Sequence, residues 1–209
     1  MYLTARNWAH KIRSSQNTKK RGRGPVKGLK AMNKRTKSGE QKLKIEFSRL
    51  GGPVGENERM FIDEVVMFSR KRTPLIGVKS WSDIDQDVKD LIASDVLAKW
   101  DIEDTYDTRK TIWKIAAARY SGWRSGFSST YRAYDTYDKR MRNCPIDLDI
   151  VEWHYLVKFF GSPHFQSIST RNIAIQSQIK NQHLTGSKPF AQVSHEKRNP
   201  EIGEEPTDL

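Results

Sequence analysis

The chain has 209 residues, 36% of them hydrophobic, and carries 37 Lys and Arg against 25 Asp and Glu, a net charge of +12. That length and apolar content suffice to bury a core in one or two domains, which excludes disorder throughout. The longest apolar runs, Val65 to Phe68 and Ile115 to Ala118, reach about four residues against the roughly 18–20 needed to cross a bilayer, so neither a membrane span nor a secretory leader is expected.

The excess charge is concentrated at one end. Residues 1–39 hold 12 basic side chains and no acid, whereas the other 170 residues hold 25 of each sign. With Gly, Ser, Asn and Thr between the cations and few large apolar groups, residues 1–39 read as a disordered basic arm. Residues 40–198 read as a helical domain and residues 199–209 as an acidic tail. The expected fold is mainly α, with at most a small β element.

In chain order, QKLKIEF alternates, with Leu43, Ile45 and Phe47 on one side, and predicts a short half-buried strand. LGGPVGEN follows as a turn. Phe61, Val65 and Phe68 then predict a helix from Asn57 to Arg72, acidic at its start and basic at its end before Pro74. A second helix is expected after Ser82 as N-cap, with Ile84, Val88, Leu91, Ile92, Val96 and Trp100 as its buried stripe. The third and longest runs from Thr108 to Tyr134 through Ile112, Ala116, Tyr120, Trp123, Phe127 and Tyr131, weakened by Gly122 and Gly126. Beyond Pro145, Ile150 to Phe160 predicts one helix, Ser162-Pro163 caps another through Phe165, Ile168, Ile175 and Ile179, and a last one starts near Ser187.

Two charge patterns bear on function. The arm, with Lys19, Lys20, Arg21, Arg23, Lys27, Lys30, Lys34, Arg35 and Lys37 at its centre, attracts polyanions without ordered structure, and a phosphate backbone is its expected partner. The same residues would also satisfy a nuclear-import signal, and the expected location is the nucleus. RGRGP (Arg21 to Pro25) is close to an Arg-Gly-Arg-Pro minor-groove hook, but Gly24 displaces the proline by one residue. The second pattern lies inside the domain. Asp83 to Asp107 holds nine acids and two lysines, and Arg109 to Tyr134 holds six cations and no acid. Lys110, Lys114, Ser121, Arg124, Ser128 and Arg132 share one side of a helical wheel, a candidate phosphate-binding face with Trp113 or Tyr120 beside it for a sugar or base. The alternative is that the acidic and basic helices pair with each other.

Catalytic patterns are sparse. DIDQD (Asp83 to Asp87) starts like an EF-hand loop, but Val88 and Ser94 stand where its glycine and glutamate belong; helix N-terminal charge explains the run better. The five histidines have no HExxH pattern, and the single cysteine, Cys144, has no partner for a disulfide or zinc site. GGPVG lacks the ending of a phosphate-binding loop. No cofactor, metal or catalytic residue is assigned, and the chain is expected to be intracellular.

RGPVKGLK (Arg23 to Lys30), LGGPVGEN (Leu50 to Asn57), the Trp81 segment leading to KWDI, the pair Trp123-Arg124, SPHFQSISTRN (Ser162 to Asn172) and TGSKPFAQV (Thr185 to Val193) occur in that order over most of residues 23–206. In this combination the chain resembles the plant transposase family Ptta/En/Spm of CACTA-type transposable elements. The resemblance implies a DNA-binding accessory of such an element, acting beside a separate catalytic transposase chain that carries the carboxylate-metal core. The alternatives are a metal-dependent strand transferase, or a fragment of one, and an RNA-binding or scaffold protein. Family members carry more cations after the SPxFQ helix start than the Arg171 and Lys180 present here, so that helix is not assigned to DNA. Longer members continue beyond EEPTDL, and an oligomerisation segment carried there is not expected in this chain.

Overall fold

The computed structural model describes residues 28–39, 41–49, 51–178 and 190–197. Its first element corrects the sequence expectation. Leu29–Ser38 is a helix, α1, set between Gly28 and Gly39, both in the left-handed region at φ 62° and 68°. Local sequence gives this helix little support, since Ala31 is its only buried residue. A distant carboxylate supplies the rest. Arg35 donates from Nη1 to Glu64 Oε1 at 2.8 Å and from Nη2 to Glu64 Oε2, while Lys34 reaches Glu56 at 2.7 Å and Asn57 at 2.8 Å. The basic segment is therefore ordered from residue 28, and the part read as an arm that precedes it lies outside the described residues.

The expected strand forms, in two pieces. β1 (Leu43–Lys44) pairs in parallel with β4 (Trp100–Asp101), and β2 (Glu46–Phe47) pairs antiparallel with β3 (Pro53–Val54). Leu43 and Ile45 are buried, Phe47 half so, as the alternation required. Of GGPVG, expected as a turn, only Gly51 and Gly52 lie in the β2–β3 connection, with Gly51 at φ 77° and its N–H donating to Ser48 O at 2.8 Å, while Pro53 and Val54 are β3 itself.

Four helices carry the rest of the core. α2 (Glu58–Arg72) buries Phe61, Val65 and Phe68, the three positions its spacing selects. A 3-10 turn (Trp81–Asp83) then leads into α3 (Gln86–Leu97). Here the sequence expectation fails in three details. Ser80, not Ser82, forms the capping box with Asp83; Leu91 is exposed; and Trp100 reaches the core from β4, because the helix stops at Leu97. α4 (Tyr106–Arg132) runs without interruption through Gly122 and Gly126, a rod of roughly 40 Å at 1.5 Å per residue. A short helix not anticipated from sequence, α5 (Tyr137–Arg142), precedes α6 (Ile150–Gly161), which opens with an Asp149 and Glu152 capping box.

α7 (Pro163–Gln178) buries no residue, so its expected apolar stripe packs only at the edge: Phe165 and Ile168 are half-buried and Ile175 is exposed. Ile179 and Ser187 lie outside the described residues. α8 (Phe190–Glu196) closes on β3, where Gly55 N–H donates to Gln192 Oε1 at 3.1 Å. A Cβ on Gly52 would stand 2.9 Å from that of Ala191, which explains the glycine there.

The result is a mainly α fold with two apolar cores. One gathers Leu43, Phe61, Val65, Ile92, Val96 and Trp100 between α2, α3 and the strands; the other gathers Leu75, Ile84, Trp153, Leu156 and Phe160 around α6. α4 belongs to both, giving Ile112 and Ala116 to the first and Tyr120 and Phe127 to the second.

Candidate nucleic-acid interface

Whether the acidic helix covers the basic one decides what α4 offers to a polyanion. The ion pairs between them are few. Arg109 holds Asp104 at 2.6 Å and Asp90 at 3.9 Å, and Asp95 is taken by Arg72 from α2 at 2.8 Å. Lys110, Lys114 and Arg132 are exposed and have no ion-pair partner among the described residues. Asp83 caps the 3-10 turn, accepting from Lys79 N–H at 2.8 Å and Ser80 N–H at 3.0 Å, and Asp85 stands at the N-cap position of α3. Those two backbone donors, Lys79 first, hold the Asp83 carboxyl below the usual aspartate range.

The predicted face is nevertheless broken in the middle. Arg124 is 5% exposed, donating from Nη1 to Leu75 O at 3.1 Å and to Tyr120 Oη at 3.3 Å, with its guanidinium carbon 4.4 Å from the Phe159 ring centroid. Ser128 is also buried. The wheel put both beside Lys114, but α6 and the Pro74–Val78 loop cover that flank of α4, so Arg124 is a core residue and not a DNA contact. The two rings expected to stack are engaged within the fold as well. Tyr120 is buried, its hydroxyl donates to Pro74 O at 3.1 Å, and burial raises its pKa. Trp113 is half-buried and donates from Nε1 to Lys89 O at 2.9 Å.

Of the remaining predicted contacts, Lys30 and Lys37 project into solvent from α1, whereas Lys34 and Arg35 are engaged with Glu56 and Glu64 and serve to dock that helix. Lys19, Lys20, Arg21, Arg23 and Lys27, together with the RGRGP segment, lie outside the described residues. The predicted contacts that are exposed on the folded part thus form three groups: Lys30 and Lys37 on α1, Lys110 and Lys114 near the start of α4, and Arg132 at its end.

Arg132 does not stand alone. Beyond it the chain turns through residues 133–136 into α5, which brings Lys139 and Arg140 alongside and opens a cleft of about 640 Å³ that also touches Tyr131, Tyr134 and Gln166. Arg140 is built in firmly: Nε donates to the carbonyls of Tyr131 at 3.1 Å and Tyr134 at 2.9 Å, closing the C-terminal end of α4, and its guanidinium lies 3.9 Å over the Tyr131 ring. Sequence reasoning passed over Lys139 and Arg140. The signal was present as the basic run DKRMR from Asp138 to Arg142, but six helical residues are too few to show a period.

Among the described residues no group of three His, Cys, Asp or Glu side chains is placed to hold a metal ion, and no helix is long and apolar enough to cross a membrane. His154 is half-buried with its ring edge-on to Tyr137 at 5.9 Å. In comparisons with known proteins, no family model, no curated protein and no solved structure matches the chain.

Proposed function

We propose that the chain is a DNA-binding protein of transposable-element origin that binds phosphates and does not itself cut DNA. One observation carries the DNA-binding part: the ion pairs of the acidic segment go to Arg72 and Arg109, leaving Lys110, Lys114 and Arg132 to solvent. The concentration of 12 cations in residues 1–39, of which Lys34 and Arg35 are engaged with Glu56 and Glu64, supports the same reading, since a segment of that charge captures a polyanion by counterion release. The transposon assignment rests on the resemblance of the quoted motifs to Ptta/En/Spm proteins, and with it come a nuclear location and a separate catalytic transposase chain as partner. A strand-transferase reading would need a carboxylate cluster, and the described residues offer it none.

A salt titration of the full chain on a blunt duplex tests the reading. Each phosphate neutralised contributes about 0.9 to the slope of log K against log salt, so Lys110→Ala with Lys114→Ala lowers the slope by about 2. Replacing Lys19, Lys20, Arg21, Arg23 and Lys27 together lowers it by about 4 to 5. Slopes unchanged by both sets of substitutions would overturn the proposal.

A further inference from the structure

The cleft at the end of α4 differs from the other cation groups in bringing two arginines and a half-buried tyrosine into one pocket. Its charges do not cancel. Lys139 is paired with Asp135 at 2.9 Å and 3.2 Å and Arg140 acts on the same carboxylate at longer range, so Arg132, Lys139 and Arg140 against Asp135 alone leave the lining with an excess of positive charge. The Arg140 guanidinium is held at one edge by two backbone carbonyls and on one face by Tyr131, and neither Nη donates to a described residue. Its orientation is therefore fixed before any ligand arrives, with a planar pair of donors to spare, the geometry suited to phosphate oxygens.

The ring is Tyr134. Tyr131 is already covered by Arg140 and by Phe160, whose centroid is 5.7 Å away. Tyr134 is half-buried in the same cleft and has no ring against it among the described residues. At about 640 Å³ the cleft has the size of a site for a small molecule, within the roughly 300–1,000 Å³ usual for such pockets. A duplex offers phosphates on a convex surface with its bases stacked inside, and cannot bring a base face to a recessed tyrosine. An unpaired nucleotide can.

We infer that this cleft is a nucleotide site: Arg132 and Arg140 take the phosphate of an unpaired nucleotide and Tyr134 stacks on its base. The inference rests on the nucleic-acid reading above and adds to it a preference for an unpaired end or a single strand. The same chemistry would accept a free nucleoside monophosphate.

The test uses the full chain, a labelled oligothymidylate of about ten nucleotides, a blunt duplex and thymidine monophosphate, with anisotropy read at raised salt to suppress the arm's contribution. Tyr134→Ala should weaken the single strand about 5- to 150-fold, the usual worth of one stacked base, and leave the duplex unaffected; Tyr134→Phe should retain binding. Arg132→Ala should lower the single-strand salt slope by about 0.7. Competition by thymidine monophosphate would identify a site for free nucleotides, and competition by the strand alone a site within a polymer. Equal losses on both probes from Tyr134→Ala, or no loss on the single strand, would overturn the inference. Duplex binding without single-strand binding would remove the cleft and keep the DNA-binding reading; binding of neither probe would remove both.

Discussion

Replacing Arg35 with alanine tests how α1 is held. Glu64, 3% exposed, receives both arms of the Arg35 guanidinium and the Trp100 indole N–H at 2.7 Å. The guanidinium also lies 5.6 Å over the Trp100 ring and donates from Nε to Lys99 O at 3.3 Å. Without it, a buried carboxylate keeps one donor. Removing one partner of a buried pair costs about 3–5 kcal/mol. The Arg35 side chain is 12% exposed, so water can enter beside Glu64, and the lower end, about 3 kcal/mol, applies. For a domain of this size each kcal/mol lowers Tm by about 2–4 °C, giving a fall of roughly 6–12 °C. Urea unfolding followed by tryptophan fluorescence reads the loss, and amide exchange across residues 29–38 should accelerate with it. In a Glu64→Gln background the same substitution should cost much less, because no charge is stranded. A loss below about 1 kcal/mol, the value of an exposed pair, would refute the argument that this carboxylate docks α1.

Two further outcomes follow from the described contacts. Arg124→Met should leave stability and duplex affinity near their original values or raise stability, since two of its buried nitrogens, Nε and Nη2, have no hydrogen-bond partner in the structure, while Arg124→Glu should unfold the domain by burying a carboxylate; urea midpoints measured beside DNA affinity separate folding from binding. Asp83 has a depressed folded pKa, so its contribution is present above the ordinary aspartate value of about 3.9 and is lost as pH falls through the lower folded value; Asp83→Asn should therefore flatten the fall in urea midpoint between about pH 5 and pH 3.

The helices legible in the sequence are those whose stability is local and repetitive. Phe61, Val65 and Phe68 disclosed α2, and Ile112, Ala116, Tyr120 and Phe127 disclosed α4, because each buries one side at the helical period. α1 was hidden because its hold on the domain lies 29 residues away, in Glu64, and composition alone gives only a solvated basic stretch. The candidate interface was half legible for a related reason. A helical wheel states which residues share a side of α4, and Lys110, Lys114 and Arg132 are exposed there; it cannot state that Tyr155 and Phe159 of α6 close over one margin and take Arg124 with them. The cleft was out of reach for periodicity, since it depends on the chain reversing through Ala133 and Tyr134 and on Arg140 seating against two carbonyls.

Because α4 is fixed in two separate cores, it acts as a spacer whose ends cannot approach one another. From Lys110 to Arg132 the helix advances about 33 Å at 1.5 Å per residue. One turn of B-form DNA advances by about the same amount, roughly 34 Å. A duplex lying along this helix would therefore meet cations at positions one turn apart, on the same side of the double helix. Removing the uncharged residues 115–118 from α4 would take out about 6 Å and break that phase without deleting a charge.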